Sequence, residues 1–287
     1  MRSERGLRSV PLLPGAAQGG LVLACGMSAQ QGARLSDALR DRAPFRVIDS
    51  FAELRRFLGS SIESIDVIVV GARDATGADA APVIRDIAPQ RPRAAIVAYC
   101  QAGSQYSTDI RALAAAGVHQ FVFLGIDDSP YLLRNVLDSA RRESAAEWVL
   151  QQLASTVPAV LHPIVEAALF HPDRVTTVRA LANAMSLSRN TLFNRCEEAN
   201  YLSPAELLMW TRLALVAYLM ETTGCSVETI ANKLAYSSAT ALRNAMKRYT
   251  GLRPSQVRDA GGLACLIRGL QRRVQLTQAP ARKLYLV

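Results

Sequence analysis

The sequence predicts an α/β N-terminal domain followed by an all-α C-terminal domain that contains two helix-turn-helix motifs. Five short apolar runs alternate with amphipathic segments across residues 19–142, and helix signals alone continue from there to Val257. The chain of 287 residues is also about twice the size of a common domain. We therefore expect two domains, each with its own core.

The apolar runs of the first half are continuous instead of alternating with polar residues. Continuous runs are typical of strands covered on both faces, as in a parallel sheet flanked by helices. The residues between the runs have helical spacing at 50–58, and Ser129 with Pro130 marks another helix start. These features predict a (βα)5 unit. Its predicted strands are 21–24, 45–48, 67–70, 94–98 and 121–124.

This pattern resembles the receiver domain of response regulators, whose sheet order is 2-1-3-4-5. A working receiver needs two carboxylates after the first strand and an Asp at the end of the third, because they hold Mg²⁺ and accept a phosphoryl group. Those positions carry Cys25, Gly26 and Gly71 here. The resemblance therefore implies a degenerate receiver with no phosphoacceptor, no metal and no cofactor.

Other receiver positions are also changed. The Thr or Ser expected after the fourth strand falls at Ala98 or Tyr99, and the Lys expected after the fifth falls at Leu124 or Gly125. Asp74 lies three residues past the third strand, where we expect a solvated loop carboxylate. The role left to such a domain is packing, dimerisation or binding of another ligand. Tyr99, Cys100 and Gly125 would lie where open α/β sheets bind ligands.

Helix signals in the second half form two pairs. The first pair is a helix with an apolar stripe over 178–185, a turn at 186–188 and a second helix from Arg189 to Cys196. The second pair is a capped helix over 226–234, a turn, and a basic helix that ends at Gly251. Two helix-turn-helix motifs are predicted.

The segment between the two pairs begins with a strong start signal, Ser203-Pro204 followed by Glu206. The helix that follows, to about Glu221, is apolar nearly all round. A helix with so little polar surface must be buried between other bodies. We expect it to separate the two helix pairs as a buried spacer.

The second pair resembles the DNA-binding domain of AraC/XylS-type transcription regulators, and the resemblance covers about residues 158–260. The residues that carry it read IANKLAYSS at 230–238 and RNAMKRYTGLRPS at 243–255. The family pattern is roughly I-A-x-x-x-G-F-x-x-x-x-x-F-x-x-x-F-K-x-x-x-G-x-x-P-S. Ala235 replaces its Gly, Tyr236 its Phe, and Leu242 and Met246 its aromatic pair. All four replacements keep an apolar inner face.

The resemblance implies that one helix of each pair enters successive major-groove segments about 34 Å apart, on one face of the duplex. By position, the residues expected to face bases are Arg189, Asn190, Phe193 and Asn194 in the first pair, and Ala239, Thr240, Arg243 and Asn244 in the second. The residues expected to contact phosphates are Arg195, Arg212, Lys247, Arg248 and Arg253, although Arg212 could instead be structural. The alternative is that these residues merely form solvated helix faces and contact no DNA.

Charge supports an anionic partner at the C-terminal end. The formal net charge is +9, and from Tyr236 onward the chain carries ten Lys or Arg against one Asp. The whole excess therefore falls in the last 52 residues. Nucleic acid is the expected partner of such a region, and a solvated basic tail is the alternative.

Signals for an enzyme, a metal site or a membrane span are weak. Gly26-Met27-Ser28-Ala29-Gln30 misses a nucleophile elbow at its last position, and the three histidines lack ligand spacing. The five cysteines form no C-x-x-C pair, which favours reduced thiols and a cytoplasmic location. No uncharged apolar stretch is long enough to span a membrane.

Together these features predict a transcription regulator that binds double-stranded DNA, is not an enzyme, forms a homodimer through its N-terminal domain and could contact RNA polymerase. The alternative is a small-molecule-binding or formerly catalytic α/β protein with a helical interaction module. The predicted divisions are a flexible N-terminus at 1–18, the receiver-like domain at 19–142, a helical connector at 143–157, the DNA-binding domain at 158–260 and a basic tail at 261–287.

Overall fold

The computed structural model describes residues 20–40, 42–61 and 63–278. They divide into two compact units, and the division falls between Ser144 and Ala145. The predicted flexible N-terminus at 1–18 and the end of the predicted tail at 279–287 lie outside the described residues.

The first unit is a five-stranded sheet with the order β2-β1-β3-β4-β5, and all four strand pairs are parallel. The predicted (βα)5 architecture is therefore confirmed. The strands are β1 Leu21–Cys25, β2 Phe45–Ile48, β3 Ile65–Val70, β4 Ala95–Cys100 and β5 Gln120–Phe123. The helices are α1 Ala29–Leu39, α2 Phe51–Ser60, α3 Ala80–Ile87, α4 Ser107–Ala115 and α5, which begins at Pro130.

Both faces of this sheet are buried, which explains the continuous apolar runs. Successive side chains of a strand point to opposite faces, so Leu23 of β1 packs with Leu54 of α2 on one face. Its neighbour Val22 packs with Leu35 of α1 and Leu133 of α5 on the other. Each face thus forms its own apolar layer between sheet and helices.

Helix α5 runs without interruption from Pro130 to Leu153, and the division between the units falls within it. No separate connector exists at 143–157, because Ala146, Val149 and Leu153 are buried in the core of the second unit. Their spacing continues one helical stripe to the end of α5 at Leu153. The second unit therefore begins earlier than the sequence indicated.

The second unit is all helical. Five of its helices start at side-chain caps, in which Thr177, Ser188, Ser203, Ser226 and Ser238 each accept a backbone N–H from three residues later. After α5, its helices are α6 His162–Phe170, α7 Val178–Ala184, α8 Arg189–Glu198, α9 Pro204–Thr222, α10 Val227–Lys233, α11 Ala239–Thr250, α12 Pro254–Asp259 and α13 Gly262–Gln278.

Helix α9 is buried on all sides, as its sequence predicts, and packs against the neighbouring helices α6, α7, α8, α10, α12 and α13. Helix α13 corrects the prediction of a basic tail from residue 261. Its side chains Leu263, Leu266, Leu270 and Val274 are buried in the same core as α9. This stripe has helical spacing, so burial fixes residues 262–278 as part of the unit.

Candidate nucleic-acid interface

The pairs α7–α8 and α10–α11 share one turn geometry. Ser186 in the first turn and Ala235 in the second both adopt left-handed backbone, with φ of 53° and 52°. The next residue in each turn, Leu187 or Tyr236, donates its N–H at 2.9 Å to the carbonyl of Ala182 or Ala231. The two motifs therefore change chain direction in the same way.

The turns differ in length by one residue. Four residues separate α7, which ends at Ala184, from α8, which begins at Arg189. Five residues separate α10, which ends at Lys233, from α11, which begins at Ala239. The extra residue lies before Ser238, the capping serine of α11. The predicted base-facing residues therefore begin at the first residue of α8 and at the first residue of α11.

The second helices bury one face and expose the other. Leu192 and Cys196 of α8 and Leu242 and Met246 of α11 are buried in the core. Of the eight predicted base-facing residues, all but the half-buried Ala239 are exposed; the exposed ones are Arg189, Asn190, Phe193, Asn194, Thr240, Arg243 and Asn244. Phe193 exposes 42% of its surface, which is high for a large apolar side chain.

An ion pair that the sequence analysis missed lies within the second motif. The guanidinium of Arg243 on α11 pairs with the carboxylate of Glu228 on α10. The backbone N–H of Glu228 and this guanidinium both lower the pKa of the Glu228 carboxyl. An exposed acid on the first helix of a motif, opposite an arginine on the second, is the sequence signal that could have indicated the pair.

Four of the five predicted phosphate contacts lie at the surface. Lys247, Arg248 and Arg253 are exposed, and Arg195 is half-buried. The Arg248 guanidinium lies 6.0 Å from the ring centroid of Tyr249, within cation–π range. These four side chains remain candidates for the phosphate backbone.

The fifth, Arg212, was wrongly assigned to phosphate. It is 3% exposed, and its guanidinium donates to the backbone carbonyls of Pro172, Val175 and Leu234, the last at 2.6 Å. The guanidinium also lies 4.8 Å from the ring centroid of Tyr236. A charge inside a helix buried on all sides needs internal partners, so Arg212 is structural.

In the first unit, backbone atoms crowd the two glycines at which the sequence analysis placed receiver carboxylate positions. A Cβ atom added at Gly71, the phosphoacceptor position, would overlap the carbonyl oxygen of Gly26. A Cβ at Gly26 would lie 2.7 Å from the carbonyl oxygen of Arg73. Cys25 is buried, and burial raises the pKa of its thiol to about 12. The described loops leave no space for a carboxylate at these two glycines.

Asp74 is buried, not solvated as the sequence analysis expected. One carboxylate oxygen accepts the N–H of Phe51 at 2.8 Å, and the other accepts the hydroxyl and N–H of Thr76 and the N–H of Ala78. Burial alone would raise the pKa of this carboxyl, but these hydrogen bonds lower it. Asp74 thus holds the loop after β3 together.

Tyr99 and Cys100, which end β4, are also buried. The Tyr99 hydroxyl donates to the carboxylate of Asp128 at 2.6 Å, and Arg34 forms an ion pair with that carboxylate. Burial, with Asp128 nearby, raises the pKa of Tyr99. This network links α1, β4 and the residues before α5, and Tyr99 has no exposed surface with which to bind a ligand.

Within the described ranges, no helix combines the length and the apolar character that crossing a bilayer requires.

Residues 181–260 match the family described as a helix-turn-helix domain. The transcriptional regulator AlkR of Acinetobacter baylyi is 32% identical over 109 residues, which are 37% of this chain and 36% of AlkR. The raffinose operon transcriptional regulatory protein RafR of Pediococcus pentosaceus is 32% identical over 87 residues, 30% of this chain and 31% of RafR. The chain thus spans about a third of the length of these relatives, which are named as regulators, not enzymes.

Solved structures also resemble the chain. A receiver domain of an HD domain-containing protein from Pseudomonas fluorescens Pf-5 covers 48% of this chain and 98% of its own, with 13% identity and a TM-score of 0.40. Full-length FixJ from B. japonicum covers 82% of this chain and 98% of its own, with 13% identity and a TM-score of 0.37. The parallel sheet order, not these low scores, establishes the fold of the first unit. The match at 181–260 places a helix-turn-helix domain within the second unit.

Proposed function

We propose that this protein is a transcription regulator that binds specific DNA sequences through α8 and α11. The observation that carries the proposal is the repeated motif, in which two helices with the same left-handed entry turn expose polar faces on one buried spacer, α9. Such second helices are the elements that enter the major groove in helix-turn-helix proteins. The names of AlkR and RafR agree with this function.

The exposed residues have the chemistry that base reading requires. Asn190, Asn194 and Asn244 can pair with adenine, and Arg189 with guanine. Arg243 can also pair with guanine when it exchanges its exposed partner Glu228 for the base. Phe193 and Thr240 can contact the methyl group of thymine. Phosphate contacts, which position the protein without reading sequence, are assigned to Arg195, Lys247, Arg248 and Arg253.

We propose that the first unit regulates or dimerises without phosphorylation. The absence of space at Gly71 and the buried, protonated thiol of Cys25 support this role. A second copy of this unit is the proposed partner, because three large apolar side chains lie exposed within seven residues at and before the start of α5. These are Ile126 at 68%, Tyr131 at 69% and Leu132 at 38% exposure. The proposed location is the cytoplasm, where the DNA lies.

Selection from random double-stranded DNA with the full chain tests the DNA function. The proposal predicts enrichment of a motif with two conserved segments about 10 base pairs apart, protected on one face of the duplex. Substituting Asn194 should weaken the sequence preference in one segment, and substituting Asn244 should weaken it in the other. A selection that enriches no sequence would contradict the proposal.

The role of the first unit has a separate test. Acetyl phosphate with Mg²⁺ should neither label the chain nor change its DNA affinity, and a hydroxylamine-sensitive aspartyl phosphate would contradict this. Sedimentation should show a dimer whose dissociation constant rises when Ile126 and Tyr131 are replaced by Ser. A monomer at every concentration would rule out the proposed dimer.

A further inference from the structure

Helix α13 lies beyond the residues that match the helix-turn-helix family, which end at 260. Its buried stripe, which includes Leu266 and Leu270, fixes it to the core that also holds α9. Gly269 lets it approach closely, because a Cβ there would lie 3.2 Å from the Trp210 ring. The outer face of α13 therefore has a defined position on the DNA-binding unit, and nothing in the two motifs accounts for it.

The charged residues of that outer face are all cationic. Helix α13 contains Arg268, Arg272 and Arg273 and no acidic residue. Arg273 pairs with Glu206 at 2.6 Å, which anchors the helix to α9. Arg268 donates one N–H to the carbonyl of Ala260 at 3.0 Å and stays exposed, while Arg272 is exposed and has no ion pair among the described residues. Two exposed guanidinium groups thus have no acidic partner among the described residues and can meet an external anion.

The position of Arg272 indicates what kind of external anion this surface would meet. It lines a cleft together with Tyr249 and Thr250, the last residues of α11. Lys247 and Arg248 lie on the same last turn of α11 and are exposed. A recognition helix whose N-terminal residues contact bases has its C-terminal end near the DNA backbone. The charge on α13 therefore extends the cationic surface at the end of α11.

We propose that Arg268 and Arg272 of α13 form a third contact with DNA, on the phosphates that flank the segment read by α11. The inference rests on the proposed DNA function and adds a contact outside both helix-turn-helix motifs. Because phosphates carry no base identity, this contact should raise the affinity for every sequence equally and make binding more dependent on salt.

The test compares the full chain with the double variant Arg268→Gln, Arg272→Gln on preferred and scrambled duplexes at several salt concentrations. The control Arg56→Gln, Arg85→Gln removes two exposed charges from the first unit. We expect the α13 variant to lose affinity on the order of tenfold on both duplexes and to reduce the slope of log affinity against log salt by about two. The control should keep the slope of the full chain. Thermal unfolding should be unchanged in both, since all four side chains are exposed.

A duplex trimmed on the side read by α11 gives a second readout. Removing the flanking phosphates should weaken DNA binding by the full chain and abolish the difference in affinity between the full chain and the α13 variant. If the full chain binds its preferred duplex and the α13 variant matches it in affinity and slope, the third contact is contradicted while the DNA function stands. If the full chain itself shows no preference for any duplex, the proposed function fails instead.

Discussion

Arg212 of α9 donates from its guanidinium to the backbone carbonyl of Leu234 at 2.6 Å. Leu234 lies in the turn of the second motif, and the same guanidinium donates to Pro172 and Val175, which precede the first motif. One buried side chain thus bonds the spacer helix to the turn of the second motif and to the segment that leads into the first. We infer that Arg212 fixes the turn of the second motif relative to the segment that precedes the first.

Replacing Arg212 by Met should destabilise the second unit by about 3 kcal/mol, because three carbonyls lose a charged donor in a buried site. Arg179→Met on the exposed side of α7 is the matched control and should change the free energy of unfolding by less than about 0.5 kcal/mol. Urea unfolding of both variants measures this difference. Equal stabilities would contradict the structural role of Arg212.

Ala235→Gly should stabilise the protein by about 1 kcal/mol. Ala235 adopts φ of 52°, where an L-residue with a Cβ is strained and glycine is not. Ala241→Gly, on the right-handed helix α11, should instead destabilise by about 1 kcal/mol. Thermal unfolding midpoints of the two variants should therefore shift in opposite directions, and a shift in the same direction would rule out the strain.

Gly71→Asp, which restores the receiver phosphoacceptor, should unfold or strongly destabilise the first unit because its Cβ would overlap the carbonyl oxygen of Gly26. Gly59→Asp introduces the same side chain on α2, where no atom lies within 4 Å of the added Cβ, and should be tolerated. Soluble yield and circular dichroism compare the two. A folded Gly71→Asp variant that becomes phosphorylated would show that the site is not closed.

A fragment that starts at residue 143 should fold and bind DNA, whereas one that starts at 158 should be unstable. The longer fragment keeps Ala146, Val149 and Leu153, which are buried in the core of the second unit. Removing them exposes apolar core surface and leaves a cavity. Circular dichroism and duplex binding test both fragments, and equal stability would show that the end of α5 is dispensable.

Local patterns predicted much of the fold. The five strands were evident from continuous apolar runs such as 67–70, because strands covered on both faces have no polar side. Two helix starts in the second half were evident from the capping serines Ser203 and Ser226, whose hydrogen bonds form within three residues. Apolar runs and helix caps depend on residues that are close together in the sequence, so they can be predicted from the sequence alone.

Features that depend on distant residues were missed or misjudged. The carbonyl partners of Arg212 lie 22 to 40 residues away along the chain, and Phe51, which donates to Asp74, lies 23 residues before it. Helix α13 had a readable apolar stripe, but its charge led to its interpretation as a tail. The roles of the exposed residues on α8 and α11 remain predictions, because exposure alone does not identify what a side chain contacts.

In the proposed function, α11 reads bases with its first two turns and contacts phosphates with its last. Arg243→Ala and Asn244→Ala should each cost roughly 1 to 3 kcal/mol on the preferred duplex and much less on a scrambled one. Lys247→Ala and Arg248→Ala should weaken binding to both duplexes similarly, and each should reduce the slope of log affinity against log salt by about one. Titration of the four variants on both duplexes at several salt concentrations measures this directly. Equal losses on the two duplexes for every variant would contradict base reading by α11.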